Sequence, residues 1–370
     1  MSPAIARPSR MQQWFPGTAF PLLVSAPMAG ITNPRLASEV VQANGLGFIQ
    51  GGRTFKPGSS SLAQLEEQLT LVKALLSAGR DTENSDDGQH PLPIGVGFVL
   101  FSDCAAPHFG KTTAPILARH RPAAVWFFAP DPDRPETLRS VIESLRGTAA
   151  AVNWNPRVIV QVGTIGAARE AAELGADVIV AQGIEAGGHQ FVKSAGVMSL
   201  VPEVKDMVRN EFSDKDIAVW AAGGIADGRG VAAALALGAE AAVIGTRYMV
   251  APESDAEDYK RKALLAASDG ATSTVKSYVH DHVQGNFTWP TRYDARALVH
   301  PSYHDDQAGM TIEDNEARYR AAKEKGDISM MVTWSGSSVG LVNSALPAAE
   351  ITRKVREEAV EVIGALRSAL

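Results

Sequence analysis

Eight short runs of apolar residues recur along the first two-thirds of the chain, with almost no alternating polar positions. Strands covered by helices on one face and by a packed interior on the other show this pattern. Helical segments separate most of the runs, which is the order of a parallel α/β fold. The runs lie at 22–26, 46–50, 93–100, 123–128, 157–162, 177–182, 217–222 and 241–246.

Eight strands that alternate with helices predict a (β/α)₈ barrel, the TIM barrel. Two of the helical segments, 165–177 and 228–240, end alike in Gly-Ala-acid, so the unit repeats locally. An open, doubly wound sheet is the alternative that the same alternation allows.

The chain divides into three predicted regions. We expect the barrel over 1–254, a cap or substrate domain over 255–335, and a segment at 336–370 whose helix packs back on the barrel. A long insertion at 51–92 interrupts the barrel. It contains a predicted helix at about 61–79 and then a polar stretch, GRDTENSDDGQH, that is typical of a mobile loop.

Composition narrows the class of partner. The chain has 35 basic and 41 acidic residues and a net charge of −6, which argues against nucleic acid or an anionic membrane as the main partner. Its one cysteine, Cys104, excludes an internal disulfide and a multi-cysteine metal site. We find no secretory signal and no apolar stretch of membrane-spanning length. We therefore expect a cytoplasmic protein that acts on a small molecule.

The ends of the seventh and eighth runs predict a phosphate site. The seventh is followed by Gly223 and Gly224, after which a helix begins, and the eighth ends in IGTRYM at 244–249. In a (β/α)₈ barrel these two loops commonly hold a phosphate. Backbone N–H groups, the Thr246 hydroxyl and the nearby Arg247 would serve as donors. The alternative is that the two glycines only make a tight turn.

His189 follows the sixth run, directly after Gly187 and Gly188. Two glycines cost backbone entropy there, and they indicate that some group approaches the main chain closely. The imidazole would lie on the same rim as the phosphate loops, and we predict that it is catalytic. Glu185 either orients this ring or faces solvent.

The cap contains several histidines, at 280, 282, 300 and 304. Their spacing matches no recognised zinc pattern, and Pro301 breaks the helical register between the last two. We predict no metal site.

Three stretches, APMAGITNPRLASEVVQANGLGFI, DVIVAQGIEAGGHQ and AAGGIADGRGVAAALALGAEAAVIGTRYM, resemble the nitronate monooxygenase family of FMN-containing (β/α)₈ enzymes. The resemblance covers about residues 20–250 and, less closely, 326–342. It implies an FMN site formed by Pro27, Met28, Gln182, Gly187, Gly188, Gly223, Gly224, Val243, Ile244, Gly245 and Thr246.

The resemblance also implies an activity, the oxidation of an alkyl nitronate by flavin and O₂ to a carbonyl compound and nitrite. His189 matches the histidine assigned as catalytic in that family. In one respect the chain departs from the family, because Gly97 stands where the third strand usually carries an asparagine that contacts FMN.

Two other functions remain open. The motifs are shared with NAD(P)H-dependent flavin reductases of quinones or enoyl thioesters. The phosphate loops alone would also suit a flavin-free barrel, such as a sugar-phosphate isomerase or a phosphate-ligand sensor.

Overall fold

The eight predicted strands are present, each within two residues of its predicted bounds. The structure is a computed structural model that describes residues 9–78 and 91–369. The polar stretch predicted as a mobile loop, 79–90, lies outside the described residues. The barrel strands are β1 Leu22–Ser25, β2 Gly47–Gly52, β3 Leu92–Val99, β4 Pro122–Phe128, β5 Arg157–Val162, β6 Val178–Gln182, β8 Ala218–Ala222 and β9 Ala241–Ile244.

All eight strands pair in parallel, in the order β1-β9-β8-β6-β5-β4-β3-β2. A parallel bridge between Val24 and Leu46 joins the two ends of this sheet. The Ser25 N–H donates to Leu46 O at 3.1 Å, and the Leu46 N–H donates to Leu23 O at 2.9 Å. The sheet therefore closes on itself. The (β/α)₈ barrel is confirmed, and the open doubly wound alternative is wrong.

Helices surround the barrel, and one more covers its lower end. No helix in the described part of the chain is long and apolar enough to cross a membrane. The helices are α1 Arg10–Trp14, α2 Pro34–Gln42, α3 Ser60–Ser77, α4 Ala105–His120, α5 Glu136–Ala151, α6 Ile165–Glu173, α7 Val197–Glu211, α8 Gly228–Ala236, α9 Thr246–Met249, α10 Asp258–Ala266, α11 Gly270–Ser273, α12 Val279–His282, α13 Pro301–Gln307, α14 Ile312–Glu324 and α15 Ala348–Ala369.

The interior of the barrel is filled with large side chains. Phe48 and Trp126 meet edge to face at 5.3 Å between ring centroids, and Trp220 is fully buried beside them. From below, α1 inserts Met11, whose sulfur accepts a hydrogen bond from Trp220 Nε1 at 3.3 Å. Because the interior is packed, a ligand must bind at the upper rim, where the strands have their carboxyl ends.

A second, smaller sheet is built from β7 Gly188–Phe191, β10 Thr274–Ser277 and β11 Tyr293–Leu298. Its strands are antiparallel, with β11 in the middle. Tyr293 and Phe191 belong to the same apolar cluster as the barrel interior, so this sheet lies over the rim. The chain leaves the barrel after β6, contributes β7 to the small sheet, and returns to the barrel at β8.

The last helix, α15, lies against both ends of the barrel sequence. Arg356 donates hydrogen bonds to the carbonyls of Pro21 and Ala43, at 3.2 and 2.8 Å. Thr352 pairs with the buried Tyr248 hydroxyl at 2.7 Å, and burial raises the pKa of Tyr248 to about 12. A phenol in this position stays protonated and serves packing rather than chemistry.

Two glycine substitutions test the packing of helices on the barrel. A Cβ at Gly47 would lie 2.7 Å from the carbonyl carbon of Ala37 in α2, whereas a Cβ at Gly147 in α5 would meet nothing within 4 Å. We expect Gly47→Ala to lower the free energy of unfolding by about 1–3 kcal/mol, because two backbones must separate. Gly147→Ala should raise it by about 0.5–1 kcal/mol. Urea unfolding of both variants checks this, and equal effects would contradict the packing of α2 on β2.

Candidate active site

The first and last barrel strands bring Pro27, Met28 and Gly245 together at the rim. A Cβ added at Gly245 would lie 3.6 Å from the Met28 sulfur, an ordinary contact. Pro27 packs on the next strands along: a Cβ at Gly97 would lie 2.5 Å from Pro27 Cγ. An asparagine at position 97 therefore has no room unless Pro27 moves.

The loop after β8 owes its glycines partly to its own backbone. Gly223 and Gly224 have φ angles of +98° and +72°, a conformation that other residues adopt only with strain. A Cβ at Gly223 would also lie 2.7 Å from Gly183 O. The two glycines are therefore needed for the turn itself, whether or not the turn also binds a phosphate.

The amino end of α8 already has its acceptors. Asp227 accepts from the N–H groups of Arg229 and Gly230, at 3.0 and 3.3 Å, and Glu358 accepts from the Gly228 N–H at 3.2 Å. Two carboxylates at this helix end disfavour a phosphate there. The candidate anion site therefore narrows to the Gly223–Gly224 turn and the loop after β9.

In the β9 loop, Arg247 points away from the predicted cradle. Its guanidinium donates to the carbonyl and hydroxyl of Ser344 at 2.6 and 3.2 Å, so the sequence-based expectation for Arg247 needs correction. Thr246 stays at the rim. Val243 faces the barrel interior, whereas the Ile244 side chain packs on the helix side, so Ile244 can offer only its backbone to a ligand.

Gly187 and Gly188 have different reasons to be glycine. A Cβ at Gly187 would lie 2.5 Å from the carbonyl carbon of Ser335, and Gly188 has a φ of +68° with open space around it. The group that approaches the main chain at Gly187 is thus the backbone of Ser335–Gly336. The Gly336 N–H donates to Thr246 Oγ1 at 3.0 Å. This segment therefore joins the loops after β6 and β9.

Gln182 ends β6 and supports the small sheet. Its amide nitrogen donates to the carbonyl of His189 at 3.2 Å, while its Oε1 is buried and has no hydrogen-bond partner in the described part of the chain. An unpaired buried acceptor is costly. Gln182 Oε1 is therefore a place where a ligand N–H or O–H would be stabilised.

The His189 imidazole contacts three cap residues that the sequence did not single out as a site. Its Nε2 lies 2.8 Å from Asp281 Oδ2. The Trp289 ring stacks on it at 3.6 Å with an angle of 11° between the planes, and Trp334 lies at 5.1 Å. Glu185 is not its partner, since that carboxylate accepts from the Val197 N–H at 3.2 Å. The rim thus holds a half-buried histidine with a carboxylate on one nitrogen and an indole on one face.

The remaining cap histidines form no metal centre. Among residues 9–78 and 91–369, no group of histidine, cysteine or acidic side chains could hold a metal ion. His280 Nε2 donates to Val275 O at 3.0 Å, and His280 Nδ1 lies 2.8 Å from His300 Nε2. Burial lowers the pKa of His280, and burial beside His280 lowers the pKa of His300 to about 3. Both rings are therefore neutral near pH 7.

Comparisons with known proteins agree with this architecture. The family model for nitronate monooxygenase matches residues 150–358. The chain is 45% identical to a nitronate monooxygenase of Neurospora crassa, over 96% of this chain and 93% of that one. It is 36% identical to one of Metarhizium robertsii, over 94% and 93%.

Two solved structures share the fold. FabK from Thermotoga maritima superposes with a TM-score of 0.72 at 25% identity, covering 99% of this chain and 100% of its own. The nitroalkane oxidase from Streptomyces ansochromogenes superposes with a TM-score of 0.69 at 26% identity, covering 97% and 100%.

The neutral histidine pair predicts a loss of stability in acid. Because the pKa of His300 falls on folding from 6.5 to about 3, the unfolded chain takes up this proton first as the pH drops. The contribution is complete above pH 6.5 and is lost towards pH 3; between pH 7 and pH 5 it amounts to about 2 kcal/mol. Urea unfolding should therefore show a smaller acid loss in His300→Gln than in wild type. His108→Gln, on α4, should keep the wild-type loss, and a parallel decline in all three proteins would contradict the assignment.

Proposed function

The chain belongs to the nitronate monooxygenase family, and from this premise we propose that it uses FMN and O₂ to oxidise alkyl nitronates to a carbonyl compound and nitrite. The observation that carries the proposal is the position of His189, on the barrel rim and hydrogen-bonded through its backbone to Gln182. One side chain is thus placed for proton chemistry directly beside a residue with a free acceptor. The partners are a nitronate or nitroalkane and O₂.

The rim residues suit an FMN. Gln182 Oε1 would accept from an N–H of the ring system, which relieves its unpaired state. Pro27 and Met28 offer an apolar edge, and Gly188 a backbone edge with open space above it. For the phosphate, the Gly223–Gly224 turn and the stretch from Val243 to Thr246 remain. Bound there, FMN would supply the electron acceptor for the oxidation.

The Thr246 hydroxyl can serve such a phosphate although it already has one partner. It accepts from the Gly336 N–H at 3.0 Å, which uses an oxygen lone pair and leaves its own O–H to donate. A phosphate oxygen accepts hydrogen bonds. The contact with Gly336 thus orients the hydroxyl and leaves its proton for the ligand.

His189 would act on the nitro group or on the carbon beside it. A nitronate is an anion, so a ring N–H aimed at it stabilises and orients the substrate. With a neutral nitroalkane, a ring nitrogen that carries a lone pair can accept the α-proton, which produces the nitronate at the rim. Phe101 and Phe128 pack against Trp289, which covers one face of the His189 ring.

The purified protein should be yellow and should release FMN, not FAD, on denaturation, because the residues that we propose for the phosphate form one cradle and the sequence has no recognised adenosine-binding motif. Gly245→Ala sharpens the test. The chain has room for a methyl group there, 3.6 Å from the Met28 sulfur, so loss of flavin would come from the ligand's approach and not from misfolding. We expect several-fold weaker FMN retention with unchanged thermal stability of the flavin-free protein. Gly147→Ala is the control, and a colourless wild type that takes up no added FMN would contradict the proposal.

His189→Asn keeps a hydrogen-bonding group but removes the base. We expect turnover of neutral nitroalkanes to fall about 10²–10⁴-fold, with a smaller loss on preformed nitronates and with flavin retained. Oxygen uptake with both substrates measures this. Near-normal turnover on both would leave His189 without a role.

A second measurement distinguishes the proposed nitronate oxidation from the alternative activity, an NAD(P)H-dependent flavin reductase. Anaerobic mixing of the FMN-loaded protein with NADH or NADPH, in the absence of a nitro compound, should leave the flavin oxidised. Rapid bleaching would favour a flavin reductase of quinones or enoyl thioesters.

A further inference from the structure

The contacts of His189 point to a further residue that the proposed reaction needs. Resting on that proposed function, we infer that Asp281 is a positioning residue: it keeps a proton on His189 Nε2 and so makes Nδ1 the nitrogen that faces the substrate. Trp289, stacked on the His189 imidazole, fixes the orientation of the imidazole plane.

Asp281 is itself fixed. Its side chain is 6% exposed, and its second oxygen, Oδ1, accepts from Asn286 Nδ2 at 3.1 Å. The Asn286 backbone N–H also donates to Asp281 O at 3.0 Å. Oδ1 of Asp281 thus accepts from the uncharged Asn286 amide, and Oδ2 is free to accept from His189.

The ring of His189 has little freedom to turn away. Trp289 stacks on it with ring centroids 3.6 Å apart, and Phe101 packs against the same indole with ring centroids 4.6 Å apart. The backbone is held at Ala295 of β11 and by Gln182. A rotation about the Cβ–Cγ bond of His189 would break both the hydrogen bond to Asp281 and the stacking on Trp289.

The contact with Asp281 determines which ring nitrogen of His189 carries the hydrogen. A carboxylate accepts hydrogen bonds, so Nε2 must carry a hydrogen to make the 2.8 Å contact. In the neutral ring the lone pair is then on Nδ1, which has no hydrogen-bond partner among the residues that the structure describes. When Nδ1 takes the α-proton of a nitroalkane, the C–H bond breaks, its electron pair remains on the nitronate, and the ring becomes a cation beside the Asp281 carboxylate.

Among the residues that the structure describes, Asp281 is the charged side chain that is hydrogen-bonded to the His189 ring. His280, on the same helix, is neutral because of its burial. Arg296, on β11, donates to Ile184 O, and Tyr293 of the same strand donates its hydroxyl to Pro130 O. The segment that carries Trp334 brings no titratable side chain. Asp281 is therefore the group that compensates the ring's charge.

Asp281→Asn tests the inference, with Asp294→Asn as its matched control. Asp294 is a buried cap aspartate too, but it pairs with Lys276 at 3.2 Å and does not contact His189. In Asp281→Asn we expect kcat with a neutral nitroalkane to fall about 10²-fold or more, since a neutral amide neither fixes the tautomer nor balances the cation. Preformed nitronate should lose less, because it needs no proton removed, and Asp294→Asn should keep the wild-type ratio of the two activities.

A readout without turnover completes the test. In ¹⁵N-histidine spectra of the flavin-free protein, with His189 identified through His189→Asn, the ring should carry its hydrogen on Nε2 in wild type and in Asp294→Asn. It should lose that single tautomer in Asp281→Asn. An unchanged tautomer together with an unchanged ratio of nitroalkane to nitronate turnover would overturn the inference. Its failure is distinct from failure of the proposed function, which would show as a wild type that binds no FMN or oxidises no nitronate.

Discussion

The contact between Gly187 and the backbone of Ser335–Gly336 is the constraint on which the upper half of the molecule depends. Two main chains meet where a single methyl group would keep them apart. Through this contact the segment before α15 reaches Thr246 and Glu185 together: the Gly336 N–H donates to Thr246, and the Ser337 N–H donates to Glu185 O at 2.9 Å. The small sheet is thereby tied to the barrel at the rim, and His189, one residue beyond Gly188, is held in a fixed place over the opening.

The barrel could be predicted because the sequence pattern of each strand and each turn lies within a few consecutive residues. Each strand is a continuous apolar run, and the turns around it carry their own markers, such as Asn33 with Pro34 at the start of α2. The structure has Asn33 capping that helix, through a hydrogen bond from the Leu36 N–H at 3.0 Å. Since parallel strands need helices between them, the order of runs already implied the rim and the loops that form it.

The partners of the site were not predictable, because they are distant in sequence. Asp281 lies 92 residues from His189, and Trp289 and Trp334 are further away still. In the stretch His280-Asp281-His282 the histidines are the conspicuous residues, whereas the Asp281 carboxylate between them is what contacts the His189 ring. The glycine pair did indicate a close approach, yet no local pattern could show that the approaching group is another part of the same chain. Arg247 depends likewise on Ser344, and the Gly228 N–H at the amino end of α8 depends on Glu358, which only the folded chain brings near.

The contact of Pro27 with Gly97 has a consequence for how the two positions tolerate substitution. In this backbone the proline ring occupies the volume that a side chain at position 97 would need. The two positions are therefore coupled, and a larger residue at 97 is expected to be tolerated better when position 27 changes with it. A double substitution at 27 and 97 should not behave as the sum of the two single ones.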